Sequence, residues 1–388
     1  MSDKFRVAIV APGLAPYRIP VLNRLNDLPG VSITVLLGHT HASKDYVPYI
    51  WNFPYLQFQS FDVPYDNGLV GDTRLVTSPG LLAHIARSPY DLVVALGWTM
   101  PNTFLVWMLR KWTGRPVALW DDSIPHPPSA FKQRIMPFIK RYIGSFDSYL
   151  LASSWSMDYF ASLGAARARM VHFPLVTDND FFARGAATLR AQRHALKQGF
   201  NIQTSHVILF VGRFIPVKGI PILFEAFERV AAQNEDVSLL LVGRGSLEEE
   251  MCARREASSA RERIFIQPFA SQQDLPKFYA VADLFVLPSF YETFGAVVVE
   301  AMASGLPVVT TSSVGAAADL VRDGENGRVV KPGDSDALAS AISQILNNDA
   351  LRQQMSTCAS SRVSNWNIDA AVKGLLDCIQ MCLGSITP

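Results

Sequence analysis

Four side chains in the second half of the chain have the types and spacing to hold a charged, hydroxyl-rich ligand. In "FVGRFIPVKGI" (Phe210–Ile220), Arg213 and Lys218 follow an apolar run, and Gly219 leads into a helical pattern. Two cations between a strand end and a helix start suit a diphosphate. Arg binds it through two parallel bonds, Lys as a point charge, and the helix end adds unpaired N–H groups. In "YETFGAVVVEAMASGLPVV" (Tyr291–Val309), Glu292 and Glu300 lie eight residues apart around Phe294-Gly295. Gly295 lets the backbone approach a ligand closely, and the N–H groups of Gly295, Ala296 and Val297 open a helix. A carboxylate accepts well from sugar hydroxyls. Spacing alone leaves two readings open: a sugar pocket with a phosphate beside it, or a buried helix with exposed ends. The apolar neighbours of Glu300 disfavour an exposed carboxylate.

These residues need strands to present them. "FRVAIVAP", "VSITVLLG", "LVVALG", "RPVALWDD" and "DSYLLASS" read as strands of a first set, with helical patterns such as "YRIPVLNRLND" between them. "HVILFVGRF", "VSLLLVGRG", "RIFIQPF", "DLFVLPS" and "PVVTTS" form a second set, again alternating with helices. Continuous apolar strands alternating with helices predict two parallel sheets, hence an α/β protein with two Rossmann-like domains. In such sheets ligands bind at the carboxyl ends of strands, so two facing domains would enclose a cleft there. The junction is expected near residues 180–200. Gly243 and Gly245 in "LVGRGSLEEEM" lack a third glycine, and the acidic helix start would repel a phosphate. They suit a tight turn near a nucleotide base.

A length of 388 residues with 49 % hydrophobic and 18 % charged residues fits two globular domains and excludes disorder. Residues 1–200 carry a balance of +7 with no Glu, and residues 201–388 carry −6. The two domains should therefore meet different partners. The total of +1 gives no basis for nucleic-acid binding. The cysteines, Cys252, Cys358, Cys378 and Cys382, form no CxxC pair, which points to a reducing, cytoplasmic setting. No signal-peptide pattern opens the chain. "LVVALGWTMPNTFLVWML" is interrupted by Gly97, Pro101 and Asn102, and reads as strand, turn and buried helix.

"VGRFIPVKG", "LVGRGSLEEEM", "DLPKFYAVADLFVLPSFYETFGAVVVEAMASGLPVV" and "LVRDGENGRVVKPGD", in this order, resemble the retaining glycosyltransferases of family 4 (group 1 type). The resemblance runs from about residue 174 to 368. It implies the GT-B fold: two facing Rossmann-like domains with an interdomain cleft and a C-terminal helix returning to the first. The expected division is residues 1–182, plus about 369–388, for the acceptor and 183–368 for the nucleotide-sugar donor. The resemblance further implies a UDP- or GDP-sugar donor, no cofactor and no metal. It assigns Arg213 and Lys218 to the diphosphate. Glu292, with the backbone of Phe294, Gly295 and Ala296, goes to the phosphate and the transferred sugar, and Glu300 to the ribose hydroxyls.

The first half matches less closely. Its loop "APGLAPYRIP" has the single Gly13 where a Gly-Gly pair is usual; Gly13 would let the loop approach the donor, and Arg18 would face a phosphate. "LWDDSIPHPPS" offers Asp121, Asp122 and His126 where the family often places a His near the transferred sugar. Asp121 fits the position and His126 the residue type. "FKQRIMPFIKRYIGSF" (Phe131–Phe146) places Lys132, Arg134, Lys140 and Arg141 among apolar residues, a pattern for peripheral contact with an anionic membrane. The expected activity is transfer of a hexose-type sugar to a saccharide or lipid-linked saccharide, in cell-surface polysaccharide or glycolipid synthesis. The rivals are a nucleotide-sugar 2-epimerase and a non-catalytic glycosyltransferase-like binding subunit. Glycoside hydrolysis is disfavoured, because both carboxylates are tied to one helix start rather than to opposite sides of one bond.

Overall fold

The computed structural model describes residues 4–38, 52–59, 61–65, 73–125 and 130–384. The chain divides into two compact units, residues 1–176 with 368–388, and residues 177–367.

The first unit holds β1 (Phe5–Ala11), β2 (Val31–Leu37), β3 (Tyr55–Gln57), a β4–β5 hairpin (Phe61–Tyr65, Thr73–Thr77), β6 (Leu92–Leu96), β7 (Val117–Asp121), β8 (Ser148–Leu151) and β9 (Met170–His172). Seven strands pair in the order β3-β2-β1-β6-β7-β8-β9, every pair parallel. The hairpin is antiparallel and stands apart from this sheet. β6, β7 and β8 are buried along their whole length, as helices on both faces require.

The second unit holds β10 (His206–Val211), β11 (Val237–Val242), β12 (Ile264–Gln267), β13 (Leu284–Leu287), β14 (Val308–Thr311) and β15 (Gly327–Val330). Its order is β12-β11-β10-β13-β14-β15, again entirely parallel. Both sheets thus have the doubly wound architecture expected from the alternating pattern. β3, β9, β15 and the hairpin were not anticipated. β3 and β9 have only three residues, too few to set up a periodicity.

The junction expected near residues 180–200 is instead ordered helix inside the second unit. Asp178 caps the Asn179–Arg190 helix by accepting from Phe181 N–H at 3.0 Å. The division falls at residues 176/177, so a boundary at 182/183 would cut that helix. Asn179 Nδ2 donates to the carbonyls of Val363 (3.1 Å) and Trp366 (2.8 Å). One amide therefore ties together the segments at which the chain enters and leaves this unit.

The last helix, Ile368–Leu383, belongs to the first unit and packs on β8, β9 and the Ile19–Asn26 helix. Gly374 permits that approach, because a Cβ there would press on the His172 carbonyl oxygen. Gly374→Ala should destabilise the first unit by about 1–3 kcal/mol through overpacking. Hydrogen exchange should quicken in β8 and β9 and stay unchanged in β10–β14.

Candidate active site

β10 and β13 are sheet neighbours although β11 and β12 intervene in sequence, so the strand order reverses between them. Loops leaving such neighbours diverge and open a crevice. Here the loops 212–219 and 288–295 are joined across it. Gly219 has φ +66°, and a Cβ there would overlap the Pro288 carbonyl oxygen. Phe290 N–H donates to the Val217 carbonyl at 2.8 Å. This close approach brings Lys218 Nζ onto Glu292 Oε2 as a hydrogen-bonded ion pair, with the two side chains 13 % and 17 % exposed. The loop after β14 completes the frame. Glu292 N–H donates to Ser313 O at 3.0 Å, and Gly315 N–H donates to Glu292 O at 2.9 Å. The position of Glu292 is therefore set by its backbone.

Gly295 adopts φ +95°, and a Cβ there would crowd Glu292, Leu287 and Val314 at 3.2–3.3 Å. The helix Ala296–Ala303 follows, as expected, with Gly305 (φ +77°) just past its end. Phe294, 1 % exposed, anchors the turn by stacking on Trp366 at 5.8 Å. At the helix's far end Arg190 Nη2 donates to Ser304 O at 3.0 Å. Glu300 is buried, as its apolar neighbours implied, and accepts from the Tyr279 hydroxyl at 2.8 Å. Burial pushes the Glu300 carboxyl up to about 7, with the Tyr279 bond opposing the rise. The sequence reading missed Tyr279. The available signal was a tyrosine inside the apolar run "LPKFYAVA", where a buried hydroxyl needs a partner.

Arg213 lies exposed at the end of β10, and its guanidinium has no bonded partner among the described residues. Gly243 and Gly245 face backbone rather than an open cradle. Side chains there would strike the carbonyls of Gly212 and Phe214, and Phe214 N–H donates to Arg244 O at 2.8 Å.

In the first unit, Asp121 ends β7 and is 5 % exposed. Its oxygens accept from the backbone N–H groups of Trp98 (2.8 Å) and Ser123 (2.7 Å). Burial, with Asp122 alongside, pushes its carboxyl up to about 6. Asp122 pairs with Arg18 at 3.6 Å, and the Arg18 guanidinium lies 4.8 Å from the Trp120 ring centroid. These residues line a pocket with Tyr17 and Phe173. Arg18, expected to face a phosphate, is thus already engaged. Gly13 lies in the loop after β1, and His126 lies outside the described residues.

A family model described as "Glycosyl transferases group 1" matches residues 192–362, which contain Arg213, Lys218, Tyr279, Glu292 and Glu300. A phosphatidyl-myo-inositol mannosyltransferase of Mycobacterium leprae is 31 % identical over 326 residues, covering 81 % of this chain and 80 % of the relative. The chain is a group 1 glycosyltransferase. A phosphatidyl-myo-inositol mannosyltransferase of Mycolicibacterium smegmatis is 32 % identical over 320 residues, 80 % of this chain and 76 % of that one. Among solved structures, Anabaena Alr3699/HepE in complex with UDP aligns with a TM-score of 0.75 at 19 % identity, covering 97 % of this chain and all of that one. A glycosyltransferase from Rickettsia africae aligns at 0.76 and 16 % identity, covering 98 % and 99 %. These likenesses carry the fold: the glycosyltransferase has the two Rossmann-like domains of the GT-B class.

Both raised carboxyls make the ligand-free glycosyltransferase less stable as pH rises. A folded-state value above the unfolded one means the fold holds protons that the unfolded chain has released. Their contribution is fully present below about pH 4 and is lost as pH rises through about 6 for Asp121 and about 7 for Glu300. Glu300 alone accounts for up to roughly 3 kcal/mol. The melting temperature should therefore fall between pH 4 and 7, and Glu300→Gln should flatten the upper part of that fall.

Proposed function

We propose that this glycosyltransferase is a retaining enzyme of family 4. It moves a hexose-type sugar from a UDP- or GDP-sugar to a saccharide or lipid-linked saccharide acceptor, in cell-surface polysaccharide or glycolipid synthesis. The observation that carries this reading is the Lys218–Glu292 pair at the reversal of strand order, with the exposed cation Arg213 on the same loop as Lys218. Arg213, Lys218 and the backbone of Phe294, Gly295 and Ala296 hold the diphosphate. Glu292 holds the transferred sugar and Glu300 the ribose hydroxyls. No metal or other cofactor is assigned a part.

As the anomeric bond breaks, negative charge grows on the leaving diphosphate, and the fixed cations and helix N-terminus stabilise it. The acceptor attacks from the face the diphosphate leaves, so no enzymic nucleophile is needed. In the first domain, Asp121 fixes the loops after β6 and β7 through its two backbone bonds. The Arg18–Trp120–Asp122 pocket belongs to the acceptor side. Names of similar proteins agree with these substrate classes: the structural neighbour HepE is solved in complex with UDP-glucose, and an M. smegmatis mannosyltransferase is named GDP-mannose-dependent.

The partner expected through Phe131–Phe146 is an anionic membrane surface. The helices Pro101–Thr113 and Met136–Ile143 contain no acidic residue and pack through Phe104, Trp107, Phe138 and Tyr142. Met108, Phe138 and above all Trp112, 89 % exposed, stand out from them beside Lys111, Lys140 and Arg141. Exposed aromatics with a basic rim suit the headgroup layer. No helix among the described residues is long and apolar enough to cross a membrane.

Arg213→Ala or Lys218→Ala should lower turnover on the order of 10²–10³-fold, measured as UDP or GDP release with lipid-linked sugars. Near-wild-type turnover would remove the assigned role. Release of free or epimerised sugar from donor alone would mark an epimerase, and no nucleotide binding in a thermal-shift panel a non-catalytic subunit. On anionic liposomes, a Lys132/Arg134/Lys140/Arg141→Ala variant should lose salt-sensitive binding. Equal partitioning of variant and wild type would contradict membrane contact.

A further inference from the structure

We propose that Tyr279 is a positioning residue for nucleotide binding: its hydroxyl holds one oxygen of Glu300 so that the carboxylate is kept oriented and ionised for the ribose hydroxyls. The proposal rests on the reading of Glu300 as the ribose ligand.

Tyr279 sits on the short helix Leu275–Val281 and is completely buried. Its ring is wedged edge-on against Phe182 (5.8 Å, 85°) and tilted on Phe285 (6.1 Å), so its orientation is fixed by packing. The hydroxyl reaches Glu300 Oε2 at 2.8 Å. A phenol has one proton to donate, and a carboxylate has two oxygens. The bond thus fixes the carboxyl rotamer while leaving Oε1 for a ligand. Holding the group before binding removes part of the ordering cost of capture.

The same bond bears on ionisation. Burial disfavours the charged form of Glu300, and the Tyr279 donor favours it. Tyr279 itself is pushed well above the usual phenol range, by burial first and then by Glu300, so it remains a donor. The arginines on the helices packed around Ala296–Ala303 bond groups other than the Glu300 carboxylate. Arg184 bonds the Asp180 carbonyl, Arg190 the Ser304 carbonyl, Arg352 the Asp349 carboxylate and Arg362 the Asp319 carbonyl. Burial and Tyr279 are the influences acting on this carboxyl.

The test is calorimetric titration of UDP and of GDP into wild type, Glu300→Gln and Tyr279→Phe between pH 6 and 9. Phe keeps the ring and deletes only the hydroxyl. Wild-type affinity for the preferred nucleotide should rise with pH through about 7. Tyr279→Phe should bind on the order of tenfold more weakly at pH 7, as expected for losing a hydrogen bond to a charged group. Its affinity midpoint should move to higher pH, and the part of the loss that comes from protonation of Glu300 should return by pH 9. Wild-type affinity and pH profile in Glu300→Gln would overturn the ribose reading, and this proposal with it. A weakened Glu300→Gln beside a Tyr279→Phe with wild-type affinity and an unshifted midpoint would overturn the positioning role alone. A Tyr279→Phe that only melts lower, at unchanged affinity, would leave the hydroxyl a purely structural bond and reject the proposal.

Discussion

The second domain depends on the near-contact of two backbones. Gly219 lies against the Pro288 carbonyl, with no room for a side chain between them. That contact draws the loops after β10 and β13 together where the sheet order would otherwise part them. Lys218 follows from it, since it immediately precedes Gly219, and so does its partner Glu292. The loop after β14 adds backbone bonds to Ser313 and Gly315. Three loops thus form one rigid rim, as electrostatic stabilisation of a developing charge requires. Lys218 and Glu292 satisfy each other, so neither charge is left half-buried and alone. Arg213, on the same loop as Lys218, is exposed.

A second layer supports this rim from below. The helix Ala296–Ala303 is short and mostly apolar, and it is fixed from several directions. Phe294 stacks on Trp366 at its start, Arg190 bonds the Ser304 carbonyl at its end, and Tyr279 bonds Glu300 from the side. The buried carboxylate gains its fixed place by this packing and loses stability by being charged there. A ligand that brings hydroxyl donors would offset that loss. The first domain shows the same device in Asp121, a buried carboxylate whose two oxygens splice neighbouring loops.

Much of this organisation could be read from residue types alone. Continuous apolar strands alternating with helices carried the two parallel sheets, because strands buried on both faces leave that mark. Gly295, Gly305 and the run "AVVVEAMA" carried the buried helix, whose limits the structure reproduces. Other features had no local signature. β9 and β15 are three- and four-residue edge strands, each paired on one side only, by β8 and by β14. Phe182, in the stretch read as a junction, is a core residue that meets Tyr279 only in the folded chain. The Tyr279–Glu300 bond spans 21 residues and two elements, so no spacing rule reaches it. Arg18 and Asp122 are more than a hundred residues apart, and only the sheet order makes them partners.

The central claim is that a nucleotide diphosphate binds across the β10–β13 crevice of the second domain. Hydrogen exchange with and without saturating UDP or GDP tests it most directly. The account predicts slowed exchange at residues 212–219 and 290–300, with the far strands β12 and β15 unaffected. Tight nucleotide binding that leaves both of those segments unprotected would contradict it.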